Sequence, residues 1–182
     1  ATVFACSRRN HNNAVDPTGT AFKLTGPDPG FATGRVVARS ARMLVLQAGS
    51  EQRVVHLPAG CQVWKETQTT PDAIALGDWV DVRGDPQPDG SLLARSGWIW
   101  VNIGRREGEI VALGPASLTI RHNKGIETIE LSQSLQVIDS TTGTQRLEGI
   151  AVLRPGMHIG MVGLLLPDGR FRATRIWGAL NE

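Results

Sequence analysis

Three groups of side chains in this chain are of types that could do chemistry: the carboxylates Asp78, Asp81 and Asp85; the imidazoles His11, His56, His122 and His158; and the thiols Cys6 and Cys61. Carboxylates this close together could share acid–base work or hold calcium. In a strand, however, Asp78 and Asp81 fall on opposite faces, and an internal repeat puts Met157 and Gly160 in their places. A solvated strand edge is therefore the expected reading of these acids. No two histidines have the spacing of a metal pair on a helix or strand, and His56 and His158 are expected to face solvent. A composite site of His11 with Cys6 is short of the three or four convergent ligands that a metal needs. The serines lack the Gly-x-Ser-x-Gly setting of a nucleophile elbow. The chain is thus expected to have no catalytic residue, no metal and no cofactor, and to be no enzyme.

Binding chemistry has better candidates. The bases are 16 Arg against three Lys, a bias that suits bidentate and stacked contacts. Arg105, Arg106, Arg121 and Lys124, with Arg170, Arg172 and Arg175, could line a basic stripe, and Trp98, Trp100 or Trp177 could stack single-stranded bases on it. Against this stand a formal net charge of only +2 and the interspersed Glu107, Glu109 and Glu127, because such sites depend on cationic excess. Trp98 and Trp177 share one repeat position, near the end of a closing strand, where a large ring is expected to plug a barrel mouth. Nucleic-acid or glycan binding is accordingly the second reading.

The elements that must position these groups come from the repeat. Gly34 to Leu46, GRVVARSARMLVL, returns as Gly108 to Ile120, GEIVALGPASLTI, at an offset of 74 residues. After five inserted residues the offset becomes 79 and pairs Gly77 with Gly156, Val80 with Ile159, Gly84 with Gly163, and the turn Pro88-Asp89-Gly90 with Pro167-Asp168-Gly169. Copies of roughly 70 residues can each bury a small core. The alternation Trp79-Val80-Asp81-Val82-Arg83 is that of a strand with one buried face. Ten prolines, 21 glycines and short alternating runs point to an all-β fold rich in turns. A strongly bent sheet of five or six strands in each copy is expected to close as a small barrel of the OB type. The expected organisation is an irregular N-terminal arm over residues 1–33, a first barrel over 34–101 and a second over 108–178, joined by a linker over 102–107. No run approaches the roughly 18 apolar residues that cross a bilayer as a helix.

The order of motifs, with G-x-V/I opening each copy, then G-x-x-V/I-x-V/M-x-G, P-D-G and a closing A-x-x-x-W, resembles a bacterial family of small extracytoplasmic β-barrel domains of unknown function that often occur in tandem. The likeness spans roughly residues 34–178 and implies fold and export; it carries no catalytic residue. Val3-Phe4-Ala5-Cys6-Ser7 resembles the end of a bacterial lipoprotein signal, which would make Cys6 an acylation site. The other origin is conventional cleavage before Ala1. Cys61 occupies the apolar slot of Leu135, so a disulfide from Cys6 to Cys61 is the alternative to acylation. The expected function is an exported binding or assembly module, an accessory subunit on the outer face of a bacterial respiratory or photosynthetic membrane complex. Its expected partner-binding residues are Phe4, Arg8, Arg9, Phe22 and Phe31 from the arm and its junction, and the outward-facing Arg170 and Arg172.

Overall fold

The structure is a computed structural model and describes residues 28–146 and 149–180. Phe4, Cys6, Arg8, Arg9, His11 and Phe22 lie outside the described residues. The chain divides into two compact units between Ile103 and Gly104.

The first unit contains β1 (Phe31–Ser40), β2 (Met43–Ala48), β3 (Glu51–His56), β4 (Val63–Lys65), β5 (Thr67–Thr69), β6 (Trp79–Pro86) and β7 (Leu92–Val101), with a 3-10 turn at Pro71–Ala73. A meander joins β1, β2 and β3; β6 pairs with the other edge of β1, and β7 pairs with β6. Parallel pairing of β3 with β7, Val55 opposite Leu92, closes the ring into a five-stranded barrel. The circular order first, second, third, fifth, fourth and back to first is that of the OB barrel.

The second unit contains β8 (Ile103–Leu113) from its second residue on, β9 (Ser117–His122), β10 (Gly125–Asp139), β11 (Gln145–Arg146), β12 (His158–Leu165) and β13 (Phe171–Gly178), with a 3-10 turn at Gly149–Val152. It closes in the same order, with β10 parallel to β13 and Glu130 opposite Arg172. The single strand β10 covers the ground that β3 and β4 cover separately in the first barrel. Residues 103–107, expected as linker, are strand. The arm expected to reach Thr33 likewise ends earlier, because Phe31 and Ala32 already pair with Arg83 and Val82 and Gly84 N–H donates to Gly30 O. Both stretches are too short between glycines to display an alternation in sequence.

Inward side chains fill the barrels, and the repeat pairs them: Val36 with Ile110, Leu44 with Leu118, Leu46 with Ile120, Val55 with Ile129, Val63 with Val137 and Val80 with Ile159, all at 0–1% exposure. Backbones touch at one shared corner. A Cβ on Gly84 would lie 2.1 Å from Leu93 O, and one on Gly163 would lie 1.9 Å from Arg172 O, so no other residue fits.

One register differs between the barrels. Gly84 faces Ala94 and Val82 faces Ile99, whereas Gly163 faces Ala173 and Met161 faces Ile176. The step from Ala94 to Ile99 is two residues longer than that from Ala173 to Ile176, and the excess is taken up as a bulge beside Gly97, whose φ is +78°. Trp177 therefore matches Trp100, not Trp98. Neither Trp98 nor Trp177 plugs a barrel. Trp98 stands 36% exposed on the outside of the sheet, edge-on to Trp100 at 5.8 Å between ring centroids, and Trp177 lies under the Arg105 guanidinium at 5.1 Å.

Candidate functional site

One row of groups that could do chemistry in the first barrel lies on the outer side of β1, β6 and β7. Thr33 faces Asp81, and Asp81 faces Trp100, in direct cross-strand register. Side chains at such positions leave the sheet on one side, with Cβ atoms about 4.5–5.5 Å apart. Asp81 is 2% exposed and Trp100 is 0% exposed. Asp81 is thus not the solvated edge residue that its place in the alternation suggests. The Thr33 hydroxyl donates to Asp81 Oδ1, and the Trp79 indole N–H donates to Thr33 Oγ1 at 3.0 Å. Burial disfavours the charged carboxylate, and despite the hydrogen bonds from Thr33 and Trp79 it holds the Asp81 pKa up at about 6.

Asp78 has the opposite character. It accepts from Lys65 Nζ at 2.7 Å, from Ala75 N–H at 2.7 Å and from Asn102 Nδ2 at 2.8 Å. Burial pushes its pKa up, but the Lys65 ammonium and the two amide donors outweigh it and leave the carboxyl below its ordinary value. Asp78 is therefore a structural anchor rather than a solvated edge residue. Asp85 is exposed and pairs with Arg95 at 2.5 Å. The three acids thus go to three different partners, and the structure does not assemble them into one site.

In the second barrel the supposed basic stripe is held by local acceptors. Arg106 pairs with Glu127 at 2.9 Å and lies over Phe171; Arg121 lies 3.6 Å from Glu109; Arg172 pairs with Glu130 at 3.1 Å. Arg170 bonds both Glu130 and Asp168, and Arg175 donates to Gln136 Oε1. Arg170 and Arg172 do point outward, flanking the buried Phe171. Phe31 sits at 9% exposure under the Arg83 guanidinium. His56 and His158 are exposed.

Cys61 is buried at 3% exposure and has no disulfide partner among the described residues. Burial raises its pKa, with a hydrogen bond to Ser96 working against the rise, so the thiol is a poor nucleophile at neutral pH. It borders an open cleft of about 620 Å³ between the β1–β2 turn, the β3–β4 loop and β5, with Arg42, Gln62, Gln68 and Asp72 among its walls. Cys6 lies outside the described residues. Among the described residues, no three His, Cys, Asp or Glu side chains converge as metal ligands, and no helix is long and apolar enough to cross a membrane.

Residues 55–96 match a domain of unknown function (DUF5666). That stretch runs from the end of β3 to the bulged middle of β7, so the match covers part of the first barrel. No curated protein matches the chain.

Sequence reasoning missed the Thr33–Asp81–Trp100 row. The signal available was an asymmetry: where the first copy has Asp81, the second has Gly160, and nothing in strand alternation explains a carboxylate at only one of two equivalent positions.

Proposed function

We propose that this chain is a non-enzymatic binding and assembly module of bacterial origin, built of two copies of one extracytoplasmic barrel domain, and that it serves as an accessory subunit on the outer face of a respiratory or photosynthetic membrane complex. The observation that supports this reading is the pairing of the outward arginines. Arg170 and Arg172 converge on Glu130, and Arg106 is held on Glu127. Guanidinium groups fixed in this way suit the polar rim of a protein interface. A polyanion site needs cations whose counterions can be released. An OB-type nucleic-acid or glycan-binding protein is the alternative, favoured by the fold and by the partly exposed Trp98.

Export enters through the likeness of residues 3–7 to a lipoprotein signal, with Cys6 either acylated or bonded to Cys61. Intact mass under non-reducing conditions separates these states, and two free thiols with no added lipid would exclude both. The contact segment in this proposal is residues 1–27, with Phe4, Arg8, Arg9 and Phe22. The test is isolation of the protein from its native membranes, in full length and lacking residues 1–27. Asp28, Pro29 and Gly30 are retained because Arg83, Arg53 and Gly84 bind them to the first barrel. The expected result is co-purification of integral subunits with the full chain and their loss with the truncated one. Recovery of nucleic acid or cell-wall sugar, or unchanged co-purification after truncation, overturns the assembly reading.

A further inference from the structure

Two buried polar atoms on the outer face of the first barrel lack partners, and they stand on neighbouring strands. Asp81 Oδ1 accepts the Thr33 hydroxyl, while Asp81 Oδ2 has no hydrogen-bond partner, and neither does Trp100 Nε1. One is an acceptor and the other a donor. Both belong to side chains that are essentially fully buried, and each unmet group costs free energy in such a setting. Asp81 and Trp100 are direct cross-strand partners, so the two groups share one side of the sheet within side-chain reach.

Protonation decides whether they can meet. Because Oδ1 already accepts from Thr33, a proton on the neutral carboxyl group belongs on Oδ2. There its O–H opposes the indole N–H, donor against donor. Loss of that proton turns Oδ2 into a charged acceptor beside an unused donor, and hydrogen bonds to ionised acceptors are the strong ones. We propose that Asp81 and Trp100 form a proton-operated hydrogen-bond switch, in which the neutral carboxyl group leaves the Trp100 indole N–H unmet and the ionised one takes it.

The charged side chains on the elements packed around Asp81 are engaged elsewhere. On β1, Arg35 donates to Gly77 O. On β6, Arg83 pairs with Asp28 at 3.3 Å. On β4, Lys65 holds Asp78 at 2.7 Å, and on β7, Arg95 pairs with Asp85 at 2.5 Å. Burial therefore governs the carboxyl group and brings its ionisation to about pH 6. The second barrel supplies an internal reference. At the position of Asp81 it has Gly160, where a Cβ would lie 2.4 Å from Trp177 Nε1. The same tryptophan is present there without the carboxylate.

The test is a pH titration of the full chain between pH 4 and 8, following the Asp81 carboxyl carbon and the indole N–H resonances of Trp100 and Trp177 by NMR. The expected result is that the Trp100 indole signal moves with the Asp81 midpoint, near pH 6, while that of Trp177 stays still. Asp81→Asn removes the Trp100 titration. Trp100→Phe takes a donor from the ionised form and raises proton affinity at Asp81 by roughly tenfold. A stationary Trp100 signal, an Asp81 midpoint near 4, or an unchanged midpoint in Trp100→Phe overturns the switch. Should either variant fail to fold, the paired wild-type titrations decide alone.

Discussion

Asp81 and Asp78 lie three positions apart, yet they tilt the stability of the first barrel in opposite directions as pH changes. Asp81 has a folded pKa above its unfolded value of about 3.9. The folded state therefore binds a proton that the unfolded chain has given up, and stability falls as pH rises from about 4 to about 6. A shift of this size corresponds to roughly 3 kcal/mol. Asp78 has a depressed pKa, so its contribution is complete above about pH 4 and is lost as pH falls through its folded value. The first barrel should therefore be most stable near pH 4, and Asp81→Asn should flatten the decline between about pH 4 and 6. Tryptophan fluorescence in urea at several pH values checks this, since Trp64, Trp79, Trp98 and Trp100 are four of the five tryptophans in the chain. Asn102 offers a second test. It holds φ +51°, accepts Trp79 N–H at 2.7 Å and donates to Asp78 at 2.8 Å. Asn102→Ala should cost about 2–4 kcal/mol through strain and two lost hydrogen bonds, and Asn102→Gly should recover only the strain.

At the scale of strands, the corner glycines make the sharpest prediction. Gly84→Ala and Gly163→Ala each drive a methyl group into a backbone carbonyl across the sheet, so each should destabilise by more than about 3 kcal/mol. The loss should appear as selective hydrogen exchange in the barrel that carries the change. These glycines were legible in the sequence because they recur at a fixed offset. The alternating core was legible for the same reason, since Val80 and Val82 announce a buried face and the structure gives them one. The bulge in β7 was not legible. A-x-x-x-W occurs in both closing strands, so alignment puts Trp98 on Trp177, and only the pairing of Ile99 with Val82 shows that Trp100 holds that place. The burial of Asp81 was hidden for a related reason. Strand alternation tells which side of a sheet a residue occupies, not whether that side is wet.

At the scale of the whole chain, each unit closes its own ring of hydrogen bonds around its own core. Residues 104–182 expressed alone should therefore fold with a single cooperative transition, measurable by circular dichroism; a non-cooperative melt would contradict this. The closing seam in each barrel is a parallel pairing, β3 with β7 and β10 with β13, whereas β1–β2–β3, β8–β9–β10, β6–β7 and β12–β13 are local antiparallel connections. Loop-closure entropy must be met before distant partners return any energy. Refolding should thus protect the meander and the hairpin of each unit first and the long-range pairings that join them, the parallel seam included, last. In the second barrel that final event zips a continuous strand of 15 residues, while in the first β3 and β4 must find β7 separately, across the Leu57–Gln62 gap. The two copies of one fold should consequently mature at different rates, and the first barrel should be the one that waits.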